Sequence, residues 1–184
     1  ANAVYGVSNM LLKAIGESSP THIACAFDTK APTFRHIGFE KYKAQRKAPP
    51  PDLYPQLPKV KKVLDAFGIA YFEKPGFEAD DLLATLATLS LKEKNTDVVI
   101  LSGDRDVLQL VNGNIKVQMP GWNLTGTTLY GEEEVKAKFG LEPHQFVDYK
   151  SLVGDSSTTS STTSWLISLM LAISSFTFPF AQQS

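Results

Sequence analysis

The chain alternates short apolar runs with segments in which apolar residues recur every three or four positions. Apolar runs at 22–27, 69–72 and 97–101 each follow a segment of helical periodicity. The same patterns predict further strands and six helices: strands at 115–118 and 127–129, and helices over 4–17, 53–67, 78–91, 107–110, 131–139 and 143–152. Such alternation predicts an α/β domain with a mainly parallel sheet covered by helices.

Charged residues stop at position 155. All 37 of them lie in residues 1–155, and the rest of the chain is Ser/Thr-rich at 156–164 and apolar at 165–180. We predict one domain over 1–155. We expect the tail, 156–184, to lie outside the native fold, and an out-of-register or wrongly joined coding segment would explain the abrupt change in composition. The apolar run of about 16 residues is shorter than the ~20 that span a bilayer. A membrane anchor through 165–180 is the alternative.

The net charge of −1 hides a strong asymmetry. Residues 30–62 carry nine basic and two acidic side chains, a charge of +7, whereas 63–155 carry eight basic and fifteen acidic ones, a charge of −7. A basic segment followed by an acid-rich one is typical of a metal-dependent enzyme that acts on a polyanion, and an ordinary charged surface is the alternative. The single cysteine, Cys25, excludes an internal disulfide and a cysteine metal cluster. We expect it to be a buried thiol.

Acidic residues follow three of the predicted strands. They are Asp28 after the first, Glu78, Asp80 and Asp81 after the second, and Asp104 and Asp106 after the third. Because ligands bind beyond the carboxyl ends of parallel strands, we expect these groups to converge at one edge of the sheet. Crowded carboxylates repel one another unless cations lie among them, and oxygen-only ligands favour Mg²⁺ or Mn²⁺. Two such ions about 4 Å apart can bind both the attacking and the leaving oxygen of a phosphoryl displacement.

Each acidic group also has a structural alternative. Acidic residues in a first helical turn complement the helix dipole, which would explain Glu78, Asp80 and Asp81. Asp104 could cap the helix that comes after it, and Asp28 could be an ordinary turn residue. The coincidence at three strand ends favours a metal site over these separate explanations.

Basic and aromatic side chains are interleaved in the segment 34–47. At 34–36 and 42–47, Arg and Lys stand beside aromatic residues, a combination that can bind phosphates and stack on unpaired bases. In a helix, Tyr42 and Arg46 would share a face. The alternative is a solvated helix whose aromatic residues pack inward.

Six segments together resemble the 5′–3′ exonuclease domain of bacterial-type DNA polymerase I, in the PIN-like flap endonuclease family. They keep the family's order and spacing at residues 2–7, 27–36, 42–46, 76–81, 102–110 and 152–157. The most specific are the Glu-Ala-Asp-Asp block at 78–81 and the Gly-Asp-x-Asp-x-Leu-Gln-Leu block at 103–110.

The resemblance implies a three-layer α/β/α PIN-like fold and an enzyme of DNA replication and repair. It implies cleavage of flap, nicked or RNA-primed DNA with two Mg²⁺ or Mn²⁺ ions. We expect a monomer without a small-molecule cofactor or a membrane partner, in a bacterial cytoplasm or a DNA-containing organelle. The implied metal ligands are Asp28, Glu78, Asp80, Asp81, Asp104, Asp106 and Asp155. The implied catalytic residues are Asp28, Asp80, Asp81, Lys43 and Arg46. The DNA contacts that we predict are Arg35, Tyr42, Lys43, Arg46 and Lys47.

The chain departs from the family pattern on both sides of the matched region. The family begins with a central strand that carries an aspartate metal ligand, and the match here begins after that strand. The family also continues into a helix–hairpin–helix region that binds duplex DNA, which the residues from Thr158 onward do not resemble. We therefore expect a domain without its first strand and without this region. A second hypothesis is a catalytically impaired remnant that binds DNA through residues 30–62.

Overall fold

The computed structural model describes residues 2–40, 42–44, 50–120, 126–153 and 167–174. The helices are α1 (Asn2–Ser18), α2 (Phe34–Gly38), α3 (Leu57–Ala66), α4 (Ala79–Ser90), α5 (Glu132–Phe139) and α6 (Phe146–Val153). The strands are β1 (His22–Phe27), β2 (Ala70–Glu73), β3 (Thr96–Leu101), β4 (Ile115–Pro120), β5 (Thr127–Tyr130) and β6 (Ile167–Ser174). Short 3₁₀ helices form at Tyr54–Gln56, Arg105–Leu110 and Pro143–Gln145.

The strands form one six-stranded sheet in the order β2-β1-β6-β3-β4-β5. Strand β1 pairs in parallel with β2, and β3 pairs in parallel with β4. Since β6 is antiparallel to both β1 and β3, the strands β1 to β4 all run in one direction. Only β5 and β6 run the other way among the described strands. The prediction of an α/β fold with a mainly parallel sheet is confirmed.

Alternate residues of the central strands enter two separate apolar layers, one on each face of the sheet. On β1, Ala26 packs in the layer that contains Leu83 of α4, whereas Phe27 packs in the layer that contains Leu11 of α1 and Leu64 of α3. Helix α4 therefore covers one face, and α1 and α3 cover the other. Burying each of these leucines contributes about 1.5–3 kcal/mol to folding. The two layers around the sheet produce the expected α/β/α sandwich.

Strand β6 lies in the middle of the sheet and comes from the tail that we expected outside the native fold. It pairs with β1 at the six positions His22 to Phe27, and with β3 at the six positions Thr96 to Leu101. Without a strand between them, β1 and β3 would leave facing rows of backbone N–H and C=O groups unpaired. An uncharged segment can enter this slot without burying a charge. The division of the chain at residue 155 stays a prediction.

The predicted helix boundaries differ from the observed ones mainly near prolines. The segment 53–67 divides into the 3₁₀ helix Tyr54–Gln56 and α3, and 143–152 divides into the 3₁₀ helix Pro143–Gln145 and α6. A proline fixes φ and lacks an N–H, so it favours the first turn of a new helix over a helix interior. None of the helices in the described part of the chain has the length and apolar character needed to cross a bilayer.

Candidate functional site

The acidic residues that follow β1, β2 and β3 come together at the carboxyl edge of the sheet. Helix α4 begins here, with Glu78 as its N-cap residue. The Asp28 Oδ1 atom accepts a hydrogen bond of 2.7 Å from the backbone N–H of Ala79, which joins the end of β1 to the first turn of α4. Asp28 is therefore held beside a helix N-terminus, where the dipole favours a negative charge.

Asp80 lies among other carboxylates at this edge. Burial raises the pKa of Asp80 to about 7, and the negative charges of Asp104 and Asp28 contribute to the same rise. The positive charge of Lys43 acts in the opposite direction. A carboxylate in such surroundings is stabilised as an anion only when a cation comes close. The convergence of Asp28, Asp80 and Asp104 at one edge is the arrangement that the strand-end pattern predicted.

Glu78 is held by two side chains of the basic segment. The Lys43 Nζ atom donates to both carboxylate oxygens of Glu78 at 2.9 Å, and the Tyr42 hydroxyl donates to Glu78 Oε2 at 3.3 Å. Lys43 adopts a left-handed backbone conformation with a φ of 54°. This conformation is uncommon for a residue with a Cβ, and such strain clusters at functional sites.

Asp81 forms a bidentate ion pair with Arg35. The two terminal guanidinium nitrogens of Arg35 donate to the two carboxylate oxygens of Asp81, each at 2.8 Å. Asp81 Oδ2 also accepts a hydrogen bond of 3.0 Å from the N–H of Glu78. The hydrogen bonds from Arg35 hold the pKa of Asp81 below its ordinary value, so this group is ionised at neutral pH. Arg35 thus connects α2 to the first turn of α4.

The two aspartates after β3 have different surroundings. Asp104 Oδ1 accepts a hydrogen bond of 2.9 Å from the N–H of Asp106, and its own N–H donates to Ser102 Oγ at 3.1 Å. Asp104 therefore caps the 3₁₀ helix Arg105–Leu110, which is the structural role that the sequence allowed for it. Its negative charge also raises the pKa of Asp80. Asp106 instead forms an ion pair of 2.9 Å with Lys150 of α6.

Several oxygens of the acidic cluster already have positively charged or backbone N–H partners. Within the described residues, no three His, Cys, Asp or Glu side chains form a ready-made metal site. The carboxylates of Glu78 and Asp81 bind Lys43 and Arg35, respectively. The all-oxygen donor set and the like charges around Asp80 nevertheless fit a hard divalent cation. Metal binding would require these oxygens to exchange one cationic partner for another.

The sequence pattern predicted DNA contacts for Arg35 and Lys43 and missed their ion pairs with the acidic cluster. It also missed the pair between Asp106 and Lys150. The signal that could have indicated the first two is the +7 charge of residues 30–62 against the −7 charge of 63–155. Three predicted site residues, Arg46, Lys47 and Asp155, lie outside the described residues, and their roles stay predictions.

Comparisons with known proteins agree with the resemblance in the sequence motifs. A family model described as "5′-3′ exonuclease, N-terminal resolvase-like domain" matches residues 1–140. DNA polymerase I of Bacillus subtilis (strain 168) is 41% identical over 156 residues, which cover 85% of this chain and 18% of the relative. DNA polymerase I of Mycobacterium tuberculosis (strain ATCC 25618 / H37Rv) is 44% identical, with coverage of 85% and 17%. The chain spans less than a fifth of the length of these relatives.

Solved structures of phage T5 nucleases share the fold. A variant of the T5 5′-exonuclease matches with a TM-score of 0.65 at 17% identity, over 89% of this chain and 63% of that chain. The T5 D15 flap endonuclease, solved in a complex with DNA and metal ions, matches with a TM-score of 0.60 at 21% identity, over 83% and 58% of the two chains. At these identities the match concerns the fold, and it confirms the predicted PIN-like architecture.

Proposed function

Because the chain belongs to the family of the 5′-3′ exonuclease N-terminal resolvase-like domain, we propose that it hydrolyses DNA phosphodiesters as a 5′–3′ exonuclease and 5′-flap endonuclease. One observation carries the proposal, the convergence of Asp28, Asp80 and Asp104 from three separate strand ends beside two cationic side chains. Phosphodiester hydrolysis needs positive charge at the reacting phosphate and a means of activating water. The substrate class that we assign is flap, nicked or RNA-primed DNA, in replication and repair.

Two divalent cations, Mg²⁺ or Mn²⁺, complete the proposed site. When bound, such ions polarise the phosphodiester, lower the pKa of the attacking water and neutralise the leaving oxygen. The residues that would hold them are Asp28, Glu78, Asp80, Asp81, Asp104, Asp106 and Asp155. The pKa of Asp80, raised to about 7 by burial and by its acidic neighbours, supports this assignment, because a cation would relieve the crowding of charge.

Lys43 and Arg35 would bind the phosphate groups of the DNA. Both side chains now neutralise carboxylates, Lys43 at Glu78 and Arg35 at Asp81. In the proposed reaction they change partner and donate to phosphate oxygens, which stabilises the charge that develops there. Arg35 has the planar donor pair suited to two phosphate oxygens, whereas Lys43 supplies a compact charge. Tyr42, Arg46 and Lys47 would add contacts from the same basic segment.

A cleavage assay tests the proposal. The full chain is incubated with a labelled 5′-flap DNA in Mg²⁺, in Mn²⁺ and in EDTA, together with the variants Asp80→Ala and Asp97→Asn. Asp97 lies at the amino end of β3, away from the acidic cluster, and its Oδ1 accepts a hydrogen bond from Asn114. We expect metal-dependent cleavage that Asp97→Asn retains and Asp80→Ala loses. Cleavage that continues in EDTA or in Asp80→Ala would refute the proposal.

The same assay separates the proposal from the DNA-binding remnant. The ion pairs at Glu78 and Asp81 favour this second function, because they satisfy two of the carboxylates without any metal. A remnant would bind the flap DNA in a salt-sensitive manner, in EDTA and after Asp80→Ala, without cutting it. A folded wild-type chain that binds but never cleaves would establish that alternative.

A further inference from the structure

Two exposed aromatic rings lie directly beside the acidic cluster. Phe34 is the first residue of α2, and Phe77 precedes Glu78 at the start of α4. Their ring centroids are 5.8 Å apart, with the ring planes tilted by 58°. Phe34 is 50% exposed and Phe77 is 37% exposed, and neither contributes to the buried apolar layers. These two rings therefore present an apolar surface to solvent next to the proposed reaction site.

Each ring has a cation beside it. The Arg35 guanidinium lies 4.5 Å from the centre of the Phe34 ring, and the Lys74 ammonium lies 4.9 Å from the centre of the Phe77 ring. Rings interleaved with cations match a nucleic acid strand, which offers flat bases and negative phosphates in alternation. An apolar protein partner would not require the cations. The charge of this surface therefore favours single-stranded DNA as its occupant.

The backbone holds the two rings at a fixed separation. The Phe34 N–H donates to the Gly76 carbonyl at 3.0 Å, and the Phe77 N–H donates to the Lys74 carbonyl at 3.2 Å. Gly76 has a φ of 89°, a conformation that residues with a Cβ rarely adopt. The loop before α4 and the first turn of α2 are thus tied together. A preorganised aromatic pair loses little conformational freedom when it binds a base.

We propose that Phe34 and Phe77 form a stacking platform for one unpaired nucleobase of the DNA strand whose phosphate enters the acidic cluster. The inference rests on the proposed function and adds the residues that position the strand. Lys74, the cation beside the Phe77 ring, would bind a phosphate next to the stacked base. Stacking of a base on an aromatic side chain changes affinity by roughly five-fold to a hundred-fold.

The experiment places 2-aminopurine at successive positions of a 5′-flap DNA and measures its fluorescence on binding to the full chain in EDTA. A stacked 2-aminopurine is quenched, so the platform predicts quenching at one unpaired position in the wild type. Phe77→Ala and Phe77→Leu should lose this quenching and weaken binding at least five-fold, while Phe77→Trp should retain both. Phe67→Ala is the matched control, since Phe67 is 46% exposed but caps α3 at the opposite end of β2.

The outcomes separate this inference from the proposed function. Phe77→Leu keeps an apolar side chain, and its melting temperature shows whether any loss reflects unfolding. Quenching at no position, quenching that persists in both Phe77→Ala and Phe77→Leu, or an equal loss in Phe67→Ala would overturn the platform, even if Mg²⁺-dependent cleavage is found. Quenching at one position that depends on Phe77, in a chain that never cleaves, would support the platform and reject the nuclease.

Discussion

Replacing Asp80 with asparagine should stabilise the metal-free protein while removing the cleavage that we propose. Burial and neighbouring carboxylates raise the pKa of Asp80 from the ordinary 3.8 to about 7. Each pH unit between the two values corresponds to about 1.4 kcal/mol, so the ionised group opposes folding by at most about 4 kcal/mol above pH 7. Because Asp28 and Asp104 share the repulsion, we expect Asp80→Asn to increase the free energy of unfolding by roughly 2–4 kcal/mol. For a chain of this size, that raises the Tm by roughly 5–15 °C.

The stability that Asp80→Asn adds should increase as the pH rises from about 4 to about 7. Between about pH 4 and pH 7 the folded state retains a proton on Asp80 that the unfolded state has released. Stability contributed by this group is therefore fully present below about pH 4 and is lost as the pH rises through 7. The advantage of Asp80→Asn over the wild type should be small near pH 4, grow up to pH 7 and stay constant above it.

Thermal unfolding at several pH values, with and without Mg²⁺, measures both effects. A cation that binds the folded wild type should raise its Tm at pH 8, and Asp80→Asn should lose most of that increase. Asp97→Asn should behave as the wild type in both respects. If Asp80→Asn is less stable than the wild type at pH 8 and responds equally to Mg²⁺, the reasoning from charge crowding is wrong.

Three other features of the structure can each be tested by a single change. Lys43→Ala should slow cleavage about a hundred-fold in single-turnover assays. It should change the unfolding free energy by no more than about 1 kcal/mol, because the ion pair between Lys43 and Glu78 is partly solvated. A large Tm loss with full activity would contradict this. Deleting residues 156–184 should abolish cooperative thermal unfolding, because β1 and β3 lose the strand between them; an unchanged Tm would place the tail outside the fold. Burial raises the pKa of the Cys25 thiol to about 12, so alkylation at pH 8 should proceed only in denaturant, and rapid labelling of the native chain would refute that burial.

The sequence predicted most of the local structure because hydrophobic periodicity reports directly on which face of an element is buried. The apolar runs at β1 and β3 are strands whose residues enter the core on both faces, which is why they contain few polar side chains. The position of β6 could not be predicted in the same way. Its apolar sequence does not indicate which strands it pairs with, and only pairing with distant strands decides where it lies.

The candidate site was predictable as a location but not as a set of contacts. Acidic residues after successive parallel strands must approach one edge of the sheet, and Asp28, Asp80 and Asp104 do so. The partners of individual oxygens depend on side-chain torsions and on contacts between residues far apart in sequence, such as Arg35 with Asp81. The same limit explains why the ion pair between Asp106 and Lys150 could not be predicted.

The proposed reaction depends above all on a divalent cation bound at the carboxyl edge of the sheet. Titration of the full chain with Mn²⁺, monitored by the electron paramagnetic resonance signal of the free ion, measures this directly. We predict that the wild type and Asp97→Asn deplete the free Mn²⁺ signal, whereas Asp80→Asn binds the ion at least ten-fold more weakly. Equal Mn²⁺ binding by all three proteins, or binding by none of them in the folded state, would contradict the account.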